Sequence, residues 1–159
     1  MDYLSYAGIV LVTFLGLLSG ITLGAISPEE VVPGRRWLLL MQKALYLILI
    51  AVVLYAHHTL LQAAIILIGA GIGYLLLPYR SSYLLFGALL GIMFFSSALL
   101  HVAVVLFLFG LPKGSLMAST RKDARLWRML WSTIRETWLV FFLPALLLPL
   151  LLPLLVAYV

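Results

Sequence analysis

The side chain with the most chemical scope in this chain is His101. It lies in an apolar run from about Tyr83 to Leu111, with Ser97 one helical turn before it and Ser96 beside that. At the usual helical rise it sits about 15 Å from the carboxyl end of that run, and a polar group so deep in a hydrocarbon-length helix needs a partner. Buried imidazole can relay protons, contact a substrate or ligate haem. The plainer reading is a neutral imidazole hydrogen-bonded to Ser97 or to a neighbouring helix. His57 and His58 share a short polar cluster with Thr59. They are expected at a membrane face, roughly 15 Å from His101 in depth, which argues against one metal or a bis-histidine haem. No cofactor and no metal site is expected.

A second group acts by shape. Gly16, Gly20 and Gly24 repeat every four residues, with Gly8 further along the same stripe, and Gly87 and Gly91 repeat the spacing. Small residues at that interval let helix backbones approach closely in lipid, inside one chain or between two copies. Gly69, Ala70, Gly71 and Gly73 suit either packing or a locally unwound transporter helix.

These residues need helices to carry them, and the composition supplies nothing else. Of 159 residues, 65% are hydrophobic and 9% charged, whereas a soluble domain is about half apolar and a quarter charged. The apolar stretches are continuous rather than alternating, so the backbone must close its hydrogen bonds in membrane helices. The absence of cysteine excludes disulfides and thiolate chemistry. The formal charge of +5 sits in membrane-flanking segments, where it sets topology and meets anionic lipid; no nucleic-acid partner is expected.

The expected fold is all-α, a polytopic transmembrane bundle of about five spans plus one interfacial amphipathic helix, in a single domain. The spans fall at about 4–26, 37–56, 60–77, 83–111 and 139–158. The first lacks the basic leader of a cleaved signal and should remain as a span. It ends at Ser27-Pro28-Glu29-Glu30-Val31-Val32-Pro33-Gly34-Arg35-Arg36, read as a loop because prolines, glycine and charge leave the hydrocarbon. Gln42 and Lys43 are expected to snorkel toward the interface marked by Trp37. Pro112-Lys113-Gly114-Ser115 is read as the turn that ends the fourth span.

Over about 120–138, Trp127, Leu130, Trp131, Ile134 and Trp138 share one helical face. Arg121, Arg125, Arg128, Ser132 and Arg135 share the opposite one. Basic amphipathic helices carrying tryptophan lie among lipid headgroups. Pro144, Pro149 and Pro153 should kink the last span or free carbonyls along it. With five spans the basic residues divide unevenly, and the positive-inside rule puts the amino terminus in the cytoplasm of a cell-membrane protein. Walker, His-Glu-x-x-His and Gly-x-Ser-x-Gly motifs are missing from the sequence, and the protein is expected to be non-enzymatic.

From Gly20 to Gly34, the chain resembles uncharacterised archaeal multi-pass membrane proteins in which a glycine-bearing first span ends in a Pro-Glu-Glu loop closed by Pro-Gly. That resemblance covers about a tenth of the chain and implies no activity. The length and span count also resemble the translocator-protein family, whose Trp and Pro pattern is not followed here.

The leading expectation is an assembly subunit or homo-oligomer in contact with membrane lipids and other membrane subunits. The alternative is a small oligomeric transporter or channel lined by His101, Ser96 and Ser97. The third is a redox anchor with haem at His101.

Overall fold

A computed structural model describes residues 2–56, 60–76, 82–119 and 126–157. The described chain is helical: α1 (Tyr3–Ile26), α2 (Pro28–Ala56), α3 (Leu60–Leu76), α4 (Ser82–Ile92) followed by a 3-10 turn (Met93–Phe95), α5 (Leu99–Ser119) and α6 (Leu126–Ala157). This is the all-α bundle the composition demands. Four helices, α1, α2, α5 and α6, are long and apolar enough to cross a membrane.

Helix α1 starts at an Asp2 cap. The carboxylate accepts from the Ser5 amide at 3.2 Å and from the Ser5 hydroxyl at 2.7 Å, satisfying a first-turn donor with no partner inside the helix. These bonds, the side-chain one foremost, hold Asp2 below the usual carboxylate range. Only Ser27 separates α1 from α2. The segment expected as a loop from Ser27 to Arg36 is instead the first turns of α2, and its order explains why. Pro28 occupies the first helical position, where a missing N–H costs nothing, and Glu29 and Glu30 follow in the first turn, where the helix dipole favours acids. The 29 residues of α2 extend about 43 Å, more than the roughly 30 Å of hydrocarbon.

The apolar run over 83–111 is not one helix. It reverses at 93–98, where Ser96 is extended (φ −94°, ψ 142°) and its carbonyl and hydroxyl accept the Leu99 and Ala98 amides. Serine that binds nearby backbone in this way competes with helix continuation. On the far side, α5 runs through Pro112-Lys113-Gly114-Ser115, the expected terminus, to Ser119.

Ascending contacts give the helix directions. Cβ atoms added to Gly16, Gly20 and Gly24 would strike Phe107, Gly110–Leu111 and Ser115 in turn, so α1 and α5 run parallel. Gly87 meets Phe141, and Gly91 meets Pro144, Ala145 and Leu148, so α4 runs parallel to α6. Phe14 lies against Phe141 and Phe142, while Tyr6 reaches Ala145, so α1 opposes α6. Phe94 packs on Tyr6 at 4.8 Å, which brings the 93–98 reversal beside the start of α1.

The core lies where α1, α5, α4 and α6 meet, around Tyr6, Leu17, Leu90, Val102, Phe109 and Ala145. Helix α6 is unbroken from the expected interfacial segment into the expected last span. Pro149 cannot donate to the Ala145 carbonyl four residues earlier. The Tyr6 hydroxyl donates to that oxygen instead at 2.6 Å.

Candidate functional site

Heights along the bundle can be matched across four helices. The Tyr46 hydroxyl of α2 donates to the Ala70 carbonyl of α3. Tyr46 also meets a Cβ built on Gly73, which would lie 3.7 Å from Leu85 of α4. Phe86, next along α4, meets Phe109 of α5 edge-on at 5.0 Å, and Phe141 of α6 faces Gly87. These aromatic residues therefore form one layer.

One turn further toward the end where α2, α4 and α6 begin and α5 finishes, the same four helices contribute Gln42, Ser82 with Tyr83, Lys113 and Thr137. All five are buried, Lys113 at 7% exposure and Gln42 at 5%. An ammonium inside an apolar bundle is rare and marks function by default. The Nε2 of Gln42 and the hydroxyl of Tyr83 have no hydrogen-bond partner. Each such group costs about 1–3 kcal/mol when left dry and unmet, so the layer has unused hydrogen-bonding capacity. Thr137 is satisfied locally, donating to the Thr133 carbonyl at 2.6 Å.

Above this layer, between α2, α3 and α4, is a cavity of about 440 Å³, within the range of small-molecule pockets. Tyr46, Leu49, Val53, Leu85, Phe86 and Met93 supply much of its wall, and Gly69, Ala70 and Gly73 let α3 close it with little side-chain bulk. Its lining is apolar apart from Tyr46, already engaged with Ala70, and Ser82, which also belongs to the polar layer. Gln42, Tyr83, Lys113 and Thr137 do not line this void, which is apolar over nearly all of its wall.

No family model, curated protein or solved structure matches this chain. The site therefore has to be read from its own geometry.

His101 does not lie at mid-span. It is exposed in the first turn of α5, about 27 Å from the end of that helix and near the 93–98 reversal. Ser97 is exposed, and Ser96 is occupied as a backbone cap, so the three do not line the interior of this chain. His57, His58, Arg121 and Arg125 lie outside the described residues. Among the described residues, no group of three His, Asp or Glu could hold a metal.

Gly16, Gly20, Gly24, Gly87 and Gly91 all face backbone or Cβ atoms of a neighbouring helix within the chain. Gly8 does not. Eight residues from Gly16 advance the helix about 80° past two full turns, which carries Gly8 off the stripe into open space. Trp127, Trp131 and Trp138 point outward at 69%, 56% and 47% exposure, and Arg128 is exposed beside them. The core face of α6 is instead Met129, Thr133, Thr137, Phe141 and Ala145.

Sequence reasoning missed Lys113, Gln42, Tyr83, Gly110 and Gly114. Gly110 and Gly114 carry the same four-residue spacing as the α1 stripe and pack into it, at Gly16–Leu17 and at Leu17, Gly20 and Ile21. Recognising that match would have kept Lys113 inside a helix. Gln42 could be found as the first member of the stripe Gln42, Tyr46, Leu49, Val53, whose spacing is helical.

Proposed function

We propose that this is a non-enzymatic integral membrane protein acting as a subunit, joined to a second copy or to other membrane proteins through the outer face of α3. The supporting observation is a contrast among glycines. Nothing lies within 4 Å of a Cβ added to Gly71, which does not line the cavity, and Leu67, Ile68, Ile72 and Leu75 near it are at least half exposed. Small residues amid large apolar ones suit close approach by another helix. The Gly16, Gly20, Gly24 stripe is filled by α5 and does not serve a second copy in this fold.

The test is the mass of the purified chain in mild detergent, with co-purifying proteins identified. Gly71→Leu should release the parent assembly to monomer without unfolding it. A parent that is monomeric and brings nothing with it, or a variant that assembles unchanged, overturns the reading.

Membrane lipids are the remaining partners, met by the outward Trp127, Trp131 and Trp138 together with Arg128 in an interfacial role. The cell membrane is the proposed site. The earlier charge count assumed an unbroken fourth span. With the chain reversing at 93–98, Arg35, Arg36, Arg128 and Arg135 gather toward the end opposite the amino terminus. The positive-inside rule then favours an external amino terminus rather than the cytoplasmic one first expected. Because the chain has no cysteine, Asp2→Cys gives a single thiol. Labelling of intact cells by an impermeant maleimide supports the external placement, and labelling only after lysis reverses it.

A second reading, a small carrier, is favoured by the apolar cavity between α2, α3 and α4, rather than by His101, Ser96 and Ser97.

A further inference from the structure

We propose that the cavity between α2, α3 and α4 holds one unbranched hydrocarbon chain, the tail of a membrane lipid that enters from the bilayer with its head left outside. The inference names a ligand for the cavity behind the carrier reading and rests on that reading only for transport.

The chemistry of the occupant follows from the wall. Among the described residues that line the cavity there is no charged side chain, the Tyr46 hydroxyl is spent on the Ala70 carbonyl, and Ser82 is not free. A polar ligand would give up its hydrogen bonds on entry and find none in exchange. Apolar voids stay dry, so water does not fill this one. Its lining lacks partner atoms on one side until carbon supplies them. The carbon at hand is the bilayer's own, because the cavity lies against α2, a helix long and apolar enough to cross a membrane.

The shape of the occupant follows from the length of the void. Tyr46, Leu49 and Val53 line it over two turns of α2, and Ser82, Phe86 and Met93 over three turns along α4 and its end, so it is drawn out along the helix axes over about 16 Å. The helix of a second copy, about 10 Å wide, would need roughly 1,300 Å³ over that length. The space present is about 440 Å³, which admits a single chain instead. Gly69 and Ile92 are the exposed members of the wall, and a Cβ at Gly69 meets nothing; Leu49, Val53 and Met93 are buried at 4%, 3% and 1% exposure. The first two mark the mouth toward lipid, the other three the floor.

The test places the full chain in phosphatidylcholine vesicles with a trace of phosphatidylcholine carrying a photoreactive diazirine near the end of one acyl chain, and maps the adducts by mass spectrometry. Leu49, Val53 and Met93 should be labelled alongside Leu47 and Ile48, which face outward on α2. The same diazirine on the headgroup or on a sterol ring should leave the three floor residues unlabelled. Gly69→Phe should lower floor labelling about tenfold, the scale of filling a void with one large side chain, with Leu47 and Ile48 unchanged. Gly71→Leu, which tests the subunit reading at a position that does not line the cavity, should leave floor labelling intact. Helicity and elution volume check that the variants fold, and the labelling pattern of the unaltered chain needs no variant. Labelling confined to outward residues, a floor labelled as strongly by the headgroup or sterol probe, a folded Gly69→Phe that labels like the parent, or equal loss in Gly71→Leu overturns the proposal. A labelled floor without flux in vesicles supports the site and removes the carrier reading, so the two fail separately.

Discussion

Where α1 crosses α5, and again where α4 crosses α6, glycine brings two backbones together. Where α3 lies against α2 and α4, Gly73 admits only the tip of the Tyr46 side chain, and no backbone of another helix comes as near. In the first region a Cβ at Gly24 would come within 2.7 Å of Ser115 backbone, and one at Gly91 within 2.8 Å of the Pro144 carbonyl. In the second, Gly69 and Gly71 meet nothing. Lipid tails are as apolar as leucine, so helices in a bilayer gain little by hiding apolar surface from each other, and close van der Waals contact must hold them. The α1–α5 and α4–α6 pairs obtain that contact. Helix α3 meets α2 through Tyr46 and leaves a cavity between α2, α3 and α4.

The sharpest way to break this contrast is to add the same side chain on both sides of it. Gly20→Leu drives a branched chain into the Gly110 and Leu111 carbonyls and should cost about 3 kcal/mol or more, the upper range of overpacking. Gly8→Leu, on the same helix but open, should stay within about 0.5 kcal/mol. Unfolding by a denaturing detergent in micelles reads both, and equal losses would end the distinction.

A smaller effect separates packing from polar repair. Tyr6→Phe strands the Ala145 carbonyl that Pro149 leaves without a helical donor, at about 1–3 kcal/mol. In a Pro149→Ala background the restored amide should meet that oxygen and most of the cost should vanish. A double-mutant cycle measures the coupling, and additive losses would contradict the pairing.

The smallest effect belongs to the exposed start of α1. Ser5 holds Asp2 below its ordinary range, so the cap's contribution is present above the unfolded Asp pKa of about 3.9 and fades as pH falls through the lower folded value. Amide exchange at Ser5 should be faster in Asp2→Ala than in the parent at neutral pH. The two should converge in acid; a gap that persists there would show that the carboxylate is not the cause.

The elements were legible in unequal degree. Continuous apolar runs disclosed α1, α2, α3 and α6, and the interval of four disclosed the glycine stripes of α1 and α4. Punctuation misled because the same residues end helices and begin them. Ser27-Pro28-Glu29-Glu30 reads as a break, and from Pro28 on it is the first turn of α2. Pro112-Lys113-Gly114-Ser115 reads as a turn, yet Gly114 is needed against Gly20 and Ile21, and the Ser115 hydroxyl donates to the Gly20 carbonyl at 3.0 Å. The reversal at 93–98 had only Ser96 and Ser97 to announce it. His101 drew attention by chemistry alone; Gln42, expected to snorkel outward, is buried because it shares the helical stripe of Tyr46, Leu49 and Val53, while Tyr83 offered no local signal.

By itself the sequence determined that the backbone is helical and meets lipid, because 65% apolar content cannot be folded away from water any other way. It also determined which helix faces are narrow, because glycine spacing is a property of one strand of residues. Only the tertiary structure decided that α1 takes α5 as its partner, that Lys113, Gln42 and Tyr83 are all buried, and that a void lies between α2, α3 and α4. Those facts depend on helix direction and register, which contacts between segments far apart in the chain impose.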